Sequence, residues 1–267
     1  MLTTEQCTEF EDVGFVRLPG VFCEADAAPM REVLWRELTE RYGMVRDDPG
    51  SWTTLRPYTL KSTKHHKAFA AMAGPTLIEA IEQLLGPGGW RPPKNWGQVM
   101  VTMPSPGHRW ELPRTLWHCD YPFTLPAHPL PAVKMFAFFG EVDRHGGGTL
   151  VIARSHRVVA RFVASLDRSE LDDYKGLRDR FIAHHPWLRG LRSGREDVDG
   201  IDRAEYYMER DGDVDGIAVR VEELTGQPGD MVLAHPWLFH CVAPNTSSRP
   251  RMMRTQGWVR RQANTSD

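Results

Sequence analysis

The chain reads as a mainly β protein, a sandwich or barrel with helices gathered at its amino-terminal end. Three observations predict this. Apolar residues at helical spacing occur early, in residues 24–42 and in "GPTLIEAIEQLLG". From about Trp96 the pattern changes to short apolar or alternating runs bounded by Pro, Gly and Asp, which is how strands separated by turns are written. Helical segments do not alternate with those runs, so βαβ units are disfavoured.

Taken in order, residues 1–13 read as a short helix or turn, and "GFVRLPGVF" as the strand after it. Met30, Val33, Leu34, Leu38 and Tyr42 share one helical face, and Gly43 suits the left-handed stop. In the second helix Pro75 occupies the first turn, where its missing N–H costs nothing, and Gly86 ends the segment. Leu77, Ile78, Ile81, Leu84 and Leu85 form its expected buried face. The strands expected next are "WGQVMVTM", "AVKMFAFFGEV", "GGTLVIA", "GIAVRVEEL", "DMVLA" and "MRTQGWVRR". A polar stretch from Ser165 to Arg210, with weak helical periodicity, interrupts them. It reads as a helical, lid-like insertion spanning about 160–215, over one end of the barrel where binding residues often sit. No repeat occurs, the last few residues are a polar tail, and residues 1–267 are expected to form a single domain.

Composition narrows the function. A net charge of −2 gives no electrostatic case for nucleic acid or an anionic membrane. No run of 18 apolar residues is present, and "MLTTEQCTEF" lacks the basic and apolar regions of a secretory signal. Cys7, Cys23, Cys119 and Cys241 include no CxxC pair and are too few for a disulfide framework, so free thiols in a reducing cytoplasm are expected. Abundant Arg, Gly, Ala and Pro suggest a bacterial source. A small-molecule substrate and a monomeric or homodimeric state complete the expectation.

The chemistry-bearing residues begin with His118 and Asp120 in "WHCDYP". Two imidazoles and a carboxylate on one face of an octahedron hold iron(II) and leave adjacent positions open. H-x-D supplies two of those ligands, and His240, in "AHPWLFHCVAPNTSSRPR", is the remote candidate for the third. Eleven residues later stands Arg251, whose guanidinium can grip a carboxylate through two parallel hydrogen bonds.

With those residues in register, the chain resembles the phytanoyl-CoA dioxygenase family of iron(II)- and 2-oxoglutarate-dependent oxygenases. The likeness runs from "LTTEQCTEFEDVGFVRLPGVF" through "WHCD" and "GGGTLVIARSHR" to "PGDMVLAHPWLFHCVAPNTSSRPR". It implies a double-stranded β-helix, the jelly roll of cupins, with Fe(II), 2-oxoglutarate as cosubstrate, and O2. By position, His118, Asp120 and His240 match the iron ligands and catalytic centre. Arg251 matches the grip on the far carboxylate of 2-oxoglutarate, and Thr149 a hydroxyl donor to the same molecule. Many members have Pro-Gly-Ser-His where this chain has Ala153-Arg154-Ser155-His156, and a serine where it has Val242. Related halogenases replace the carboxylate with a small residue so that chloride binds the metal. Retention of Asp120 favours hydroxylation of a small organic substrate, in bacterial specialised metabolism. Desaturation, epimerisation or cyclisation at the same centre is the alternative. From another class, a non-catalytic cupin or a zinc hydrolase would use the same three ligands but not Arg251 and Thr149.

Several other residues invite a functional reading and are given a simpler one. His235, an odd offset from His240, is expected to face away from the metal and to be structural. Arg251, with Arg249 and Arg254 close by, could instead be a surface cation, but its offset matches the carboxylate grip. Cys119 and Cys241 are expected to be buried thiols turned from the ligands, not a redox switch. His65-His66 and His184-His185 are expected on the surface. Trp117, Tyr121 and Trp237 suit either the pocket or the core. "DGDVDGIAVRVE", Asp211 to Glu222, satisfies a calcium-loop pattern, but the strand that follows it points to an Asp-Gly hairpin turn.

Overall fold

The computed structural model describes residues 1–105, 107–172, 174–193 and 197–261; the polar tail lies outside the described residues. The chain begins with α1 (Thr4–Val13), β1 (Phe15–Leu18), α2 (Glu24–Tyr42) and α3 (Pro75–Leu85). Strands β2 (Gln98–Thr102), β3 (Ala132–Phe138) and β4 (Thr149–Ala153) follow. Helices α4 (Ser155–Ala164), α5 (Tyr174–His184) and α6 (Pro186–Leu191) come next. A small pair, β5 (Asp197–Val198) and β6 (Ile201–Asp202), precedes α7 (Arg203–Met208). The chain closes with β7 (Gly212–Val214), β8 (Ile217–Leu224), β9 (Met231–Ala234), β10 (His240–Val242) and β11 (Arg251–Val259).

Two antiparallel sheets face each other, ordered β1-β9-β3-β11-β2 and β10-β4-β8-β7. This is a jelly roll with amino-terminal helices, as the resemblance implies. The two-residue period of a strand sorts its side chains. On β3, Val133, Met135 and Ala137 join the cluster packed by α2 and α3, whereas Phe136 and Phe138 meet Val151 and Ala153 of the opposite sheet. Lys134 shares the inner parity with Phe136. On β11 the same rule turns Met252 and Trp258 outward and Met253 inward.

Local chemistry accounts for the helices. Thr3 and Gln6 form a reciprocal capping box at α1, with bonds of 3.2 and 3.0 Å. Gly14 ends α1 at φ 90°, and a Cβ there would lie 2.4 Å from His156 Nδ1, so both conformation and space demand glycine. Gly43 ends α2 in the left-handed region, and Pro75 opens α3, as expected. On α3 the fully buried residues are Leu77, Ala80, Ile81 and Leu85, while Ile78 and Leu84 are only partly covered.

The insertion differs from a simple lid. Helices α4 to α7 build an apolar layer of their own against the outer side of the four-stranded sheet, with Phe162, Phe181 and Leu188 meeting Leu150, Ile152 and Val219. Helix α4 was not expected. Arg154 enters it at φ 67°, the left-handed conformation that a glycine adopts freely, and its guanidinium is held by Asp12 at 2.8 Å. The Asp211–Glu222 segment is the β7–β8 hairpin, with Asp215 and Gly216 at φ 54° and 74° as a type I′ turn requires.

His235 and His156 lie under α1 with ring centroids 4.8 Å apart. Burial pushes them down to about 2 and about 4 from an ordinary 6.5. Below pH 6.5 the unfolded chain therefore protonates these rings before the folded chain does. Their contribution to stability is full above that pH and falls as pH drops toward 4, by about 1.4 kcal/mol per unit for each ring. Denaturant midpoints should decrease between pH 7.5 and 5, and less steeply in His235→Gln. Equal midpoints for the wild type would contradict the assignment.

Candidate metal centre

The H-x-D segment is an irregular stretch that pairs with β10 at one point. His118 N–H donates to His240 C=O at 3.0 Å, and His240 N–H donates back to His118 C=O at 2.7 Å. The other edge of β10 pairs with β4, His240 standing opposite Val151. The two imidazoles consequently lie with centroids 4.4 Å apart.

Each ring is oriented by the same device. His118 Nδ1 lies 2.7 Å from Leu116 C=O, and His240 Nδ1 lies 3.0 Å from Leu238 C=O. A carbonyl only accepts, so both Nδ1 atoms carry hydrogen and both Nε2 lone pairs are left for a ligand. Leu116 is in the left-handed region at φ 67°. That conformation costs roughly 1–3 kcal/mol for such a residue, and it directs the carbonyl back at His118.

The Nε2 atoms face Asp120: His118 Nε2 is 3.8 Å from Oδ1 and His240 Nε2 is 3.5 Å from Oδ2. One donor atom from each of the three residues lies within 4.8 Å of the others. Burial, with the His118 charge nearby, pushes His240 down to about 4, which keeps it neutral at physiological pH. Burial acts to raise Asp120, but His240, Lys134 and His118 together hold its carboxyl below the ordinary value. Two imidazoles whose Nε2 atoms face one carboxylate fit a divalent metal that accepts nitrogen and oxygen ligands.

A cavity of about 620 Å³ opens on this cluster. Met100, Trp117, Phe136, Ile182 and Met253 give it apolar walls, and Thr149 and Arg251 line it as well. All five residues singled out in the sequence therefore meet in one place. Arg251 is 3% exposed, and its Nε is buried without a partner. Burial and the charge of Arg56 lower its pKa to about 10, against the favourable charge of Glu223, so it stays cationic. A buried guanidinium with an unmet donor suits a ligand carboxylate.

The rivals are accounted for by position. Arg249 is on the surface, paired with Glu141 and Asp143. Arg254, three residues along β11 and so on the opposite face, bonds the carbonyls of Gly97, Thr63 and Lys64 and lies over Phe69. His235 follows β9 in a loop and accepts from Trp237 N–H at 3.1 Å, so loop geometry, not strand alternation, turns it from the cluster. Trp117 both lines the cavity and joins the core, Trp237 is core, and half-buried Tyr121 packs against Gly257. His65 is exposed, but His184 is half-buried, 2.7 Å from Asp215 and stacked on Phe162. His66 and His185 accept backbone N–H bonds at helix starts. The sequence reading missed Lys134, whose Nζ is 2.6 Å from Asp120 Oδ2. A lone lysine at an inner position of "AVKMFAF" was the available signal.

The family model for phytanoyl-CoA dioxygenase (PhyH) matches residues 10–253. The chain belongs to the phytanoyl-CoA dioxygenase family. It is accordingly an Fe(II)- and 2-oxoglutarate-dependent enzyme, the class its motifs imply. A sequence search of curated proteins finds no match. Among solved structures, HygX from Streptomyces hygroscopicus with nickel and 2-oxoglutarate bound is similar at TM-score 0.54 and 16% identity, over 97% of this chain and 87% of that one. The epimerase SnoN from nogalamycin biosynthesis gives 0.52 and 15%, over 96% and 81%. The carbocyclase SnoK from the same biosynthesis gives 0.50 and 16%, over 97% and 84%. At such identities these likenesses establish the fold.

In this family member Cys119 and Cys241 are both buried, and burial pushes their thiols up to about 12 and about 11. Cys241 also lines the cavity, so it is not wholly turned away as expected. Thiolate is the reactive form. Iodoacetamide at pH 8 should label exposed Cys23 in the folded protein, and Cys119 and Cys241 only after unfolding. Rapid labelling of either buried thiol in the native state would contradict this.

Proposed function

We propose that the chain is an oxygenase that hydroxylates a small organic substrate, holding iron(II) with His118, Asp120 and His240. The convergence of both Nε2 lone pairs on Asp120 supports this most directly. Bound there, iron with 2-oxoglutarate and dioxygen supplies an oxidant able to attack an unactivated C–H bond. The protein supplies binding, orientation and exclusion of water.

Arg251, anchored on β11 with a free Nε, is proposed to take the far carboxylate of 2-oxoglutarate. Thr149, at the start of β4, is proposed to donate its hydroxyl to the same molecule. Trp117, Phe136 and Ile182 would cover the reacting face and keep bulk water out. Retention of Asp120 favours hydroxylation over halogenation. The same site could deliver desaturation, epimerisation or ring closure if a different C–H bond were presented. SnoN and SnoK, which share the fold, are an epimerase and a carbocyclase from nogalamycin biosynthesis, which supports a place in specialised metabolism. We take residues 1–267 as one functional unit in which α5 borders the cavity through Arg178, Asp179 and Ile182. A cytoplasmic location is proposed on the sparse cysteines of the sequence, which include no CxxC pair.

Anaerobic addition of iron(II) and then 2-oxoglutarate should produce a weak visible charge-transfer band. His118→Ala or His240→Ala should abolish it, whereas His235→Ala should keep it. Arg251→Ala should retain iron but weaken 2-oxoglutarate roughly 30-fold or more, since it removes one partner of a buried charge pair. No band in the wild type, with no succinate released in air, would refute the proposal.

A further inference from the structure

Lys134 is the cavity's unexplained charge. It projects from the inner face of β3, a central strand flanked by β9 and β11, and its side chain is 17% exposed. Among the described residues, Asp120 is the one carboxylate within ion-pair reach of its ammonium. If Asp120 serves a metal, that ammonium loses most of its counter-charge while remaining half-enclosed. An uncompensated ammonium in such a place is costly, so the loaded site favours an anion beside it.

Among the described residues, the rest of the cavity offers no replacement. Its other lining carboxylate, Asp179, is already paired with Arg192 at 2.9 Å on the lid side, where Arg178 adds a further cation. The cosubstrate's far carboxylate is matched by Arg251, and its other end by the metal. A second cavity, of about 470 Å³, adjoins the first and shares Lys134 and Thr255 with it; Lys61 and Lys64 also line it. Lys134 is thus reachable from two directions, at the junction between an apolar chamber and a basic one.

We propose that Lys134 is a specificity-determining residue, and that the substrate is a small organic anion with an apolar body and a carboxylate or phosphate group. The anionic group pairs with Lys134, and the body occupies the space between Trp117, Phe136 and Ile182. An anion held there keeps its neighbouring carbons beside the His-Asp-His cluster. The inference rests on the metal-site reading above.

The test uses full-length protein loaded anaerobically with iron(II) and 2-oxoglutarate. Aryl and alkyl carboxylic acids are compared with the phosphate monoester, primary amide and methyl ester of the same skeleton. Readouts are the thermal unfolding midpoint and the position of the charge-transfer band. Acids or phosphates should raise the midpoint and perturb the band, and their neutral partners should not. Whichever of the two series responds identifies the anionic group. Lys134→Met should weaken that response roughly 30-fold or more, and Lys134→Arg should preserve most of it. The proposal is overturned if neutral members bind as well as acids, if no anion responds, or if Lys134→Met leaves the response intact. Loss of the band itself in Lys134→Met would assign the lysine to the cosubstrate and also overturn it. An absent wild-type band would refute the metal reading, whereas a band without anion preference refutes this inference alone.

Discussion

The reciprocal backbone bonds between His118 and His240 are the contact on which the site depends. Residues more than a hundred positions apart are joined by one two-bond bridge, and each ring is then set by the carbonyl two residues before it. No side-chain attraction between the imidazoles is needed. The backbone pair places the rings, the carbonyls choose their tautomers, and Asp120 lies where both lone pairs point. Because the bridge extends a sheet whose other side is packed by α4 to α7, the cluster stands on rigid elements.

The sandwich adds a second constraint, the alternation of side chains along its strands. It puts Arg251 in the cavity and Arg254 among backbone carbonyls on the opposite face. It also places Lys134 beside Phe136. Burying Arg251 and His240 beside the carboxylate of Asp120 is unfavourable unless each charge is answered. His240 meets the difficulty by remaining neutral, and Asp120 by pairing with Lys134. Arg251 is answered in part by Glu223, which itself accepts N–H bonds from His145 and Gly148 at the turn leading to Thr149.

Much of this was legible in the sequence, for identifiable reasons. Helices α2 and α3 carry long periodic faces with a glycine stop and a proline start, which are local signals. The strands show as apolar runs between turn residues, and the Asp-Gly hairpin was separable from a calcium loop because a strand follows it. That His118, Asp120, His240 and Arg251 would meet in one place was readable from their register with the family the chain resembles, since H-x-D alone is a weak signal. Strand β10 was hidden because three residues carry no period. Helix α4 was hidden because Arg154 enters it in a conformation usually left to glycine. Lys134 escaped because its importance arises only when β3 is set opposite the H-x-D segment. His235 does lie away from the cluster, but strand parity does not put it there, since parity has no meaning across a loop.

The most direct test of the central claim is a crystal structure grown with nickel(II) and 2-oxoglutarate, with the metal located by its anomalous scattering. The account predicts one strong peak bonded to Nε2 of His118, Nε2 of His240 and an oxygen of Asp120, with the far carboxylate of 2-oxoglutarate on Arg251. A peak elsewhere, or a cosubstrate carboxylate resting away from Arg251, would contradict it.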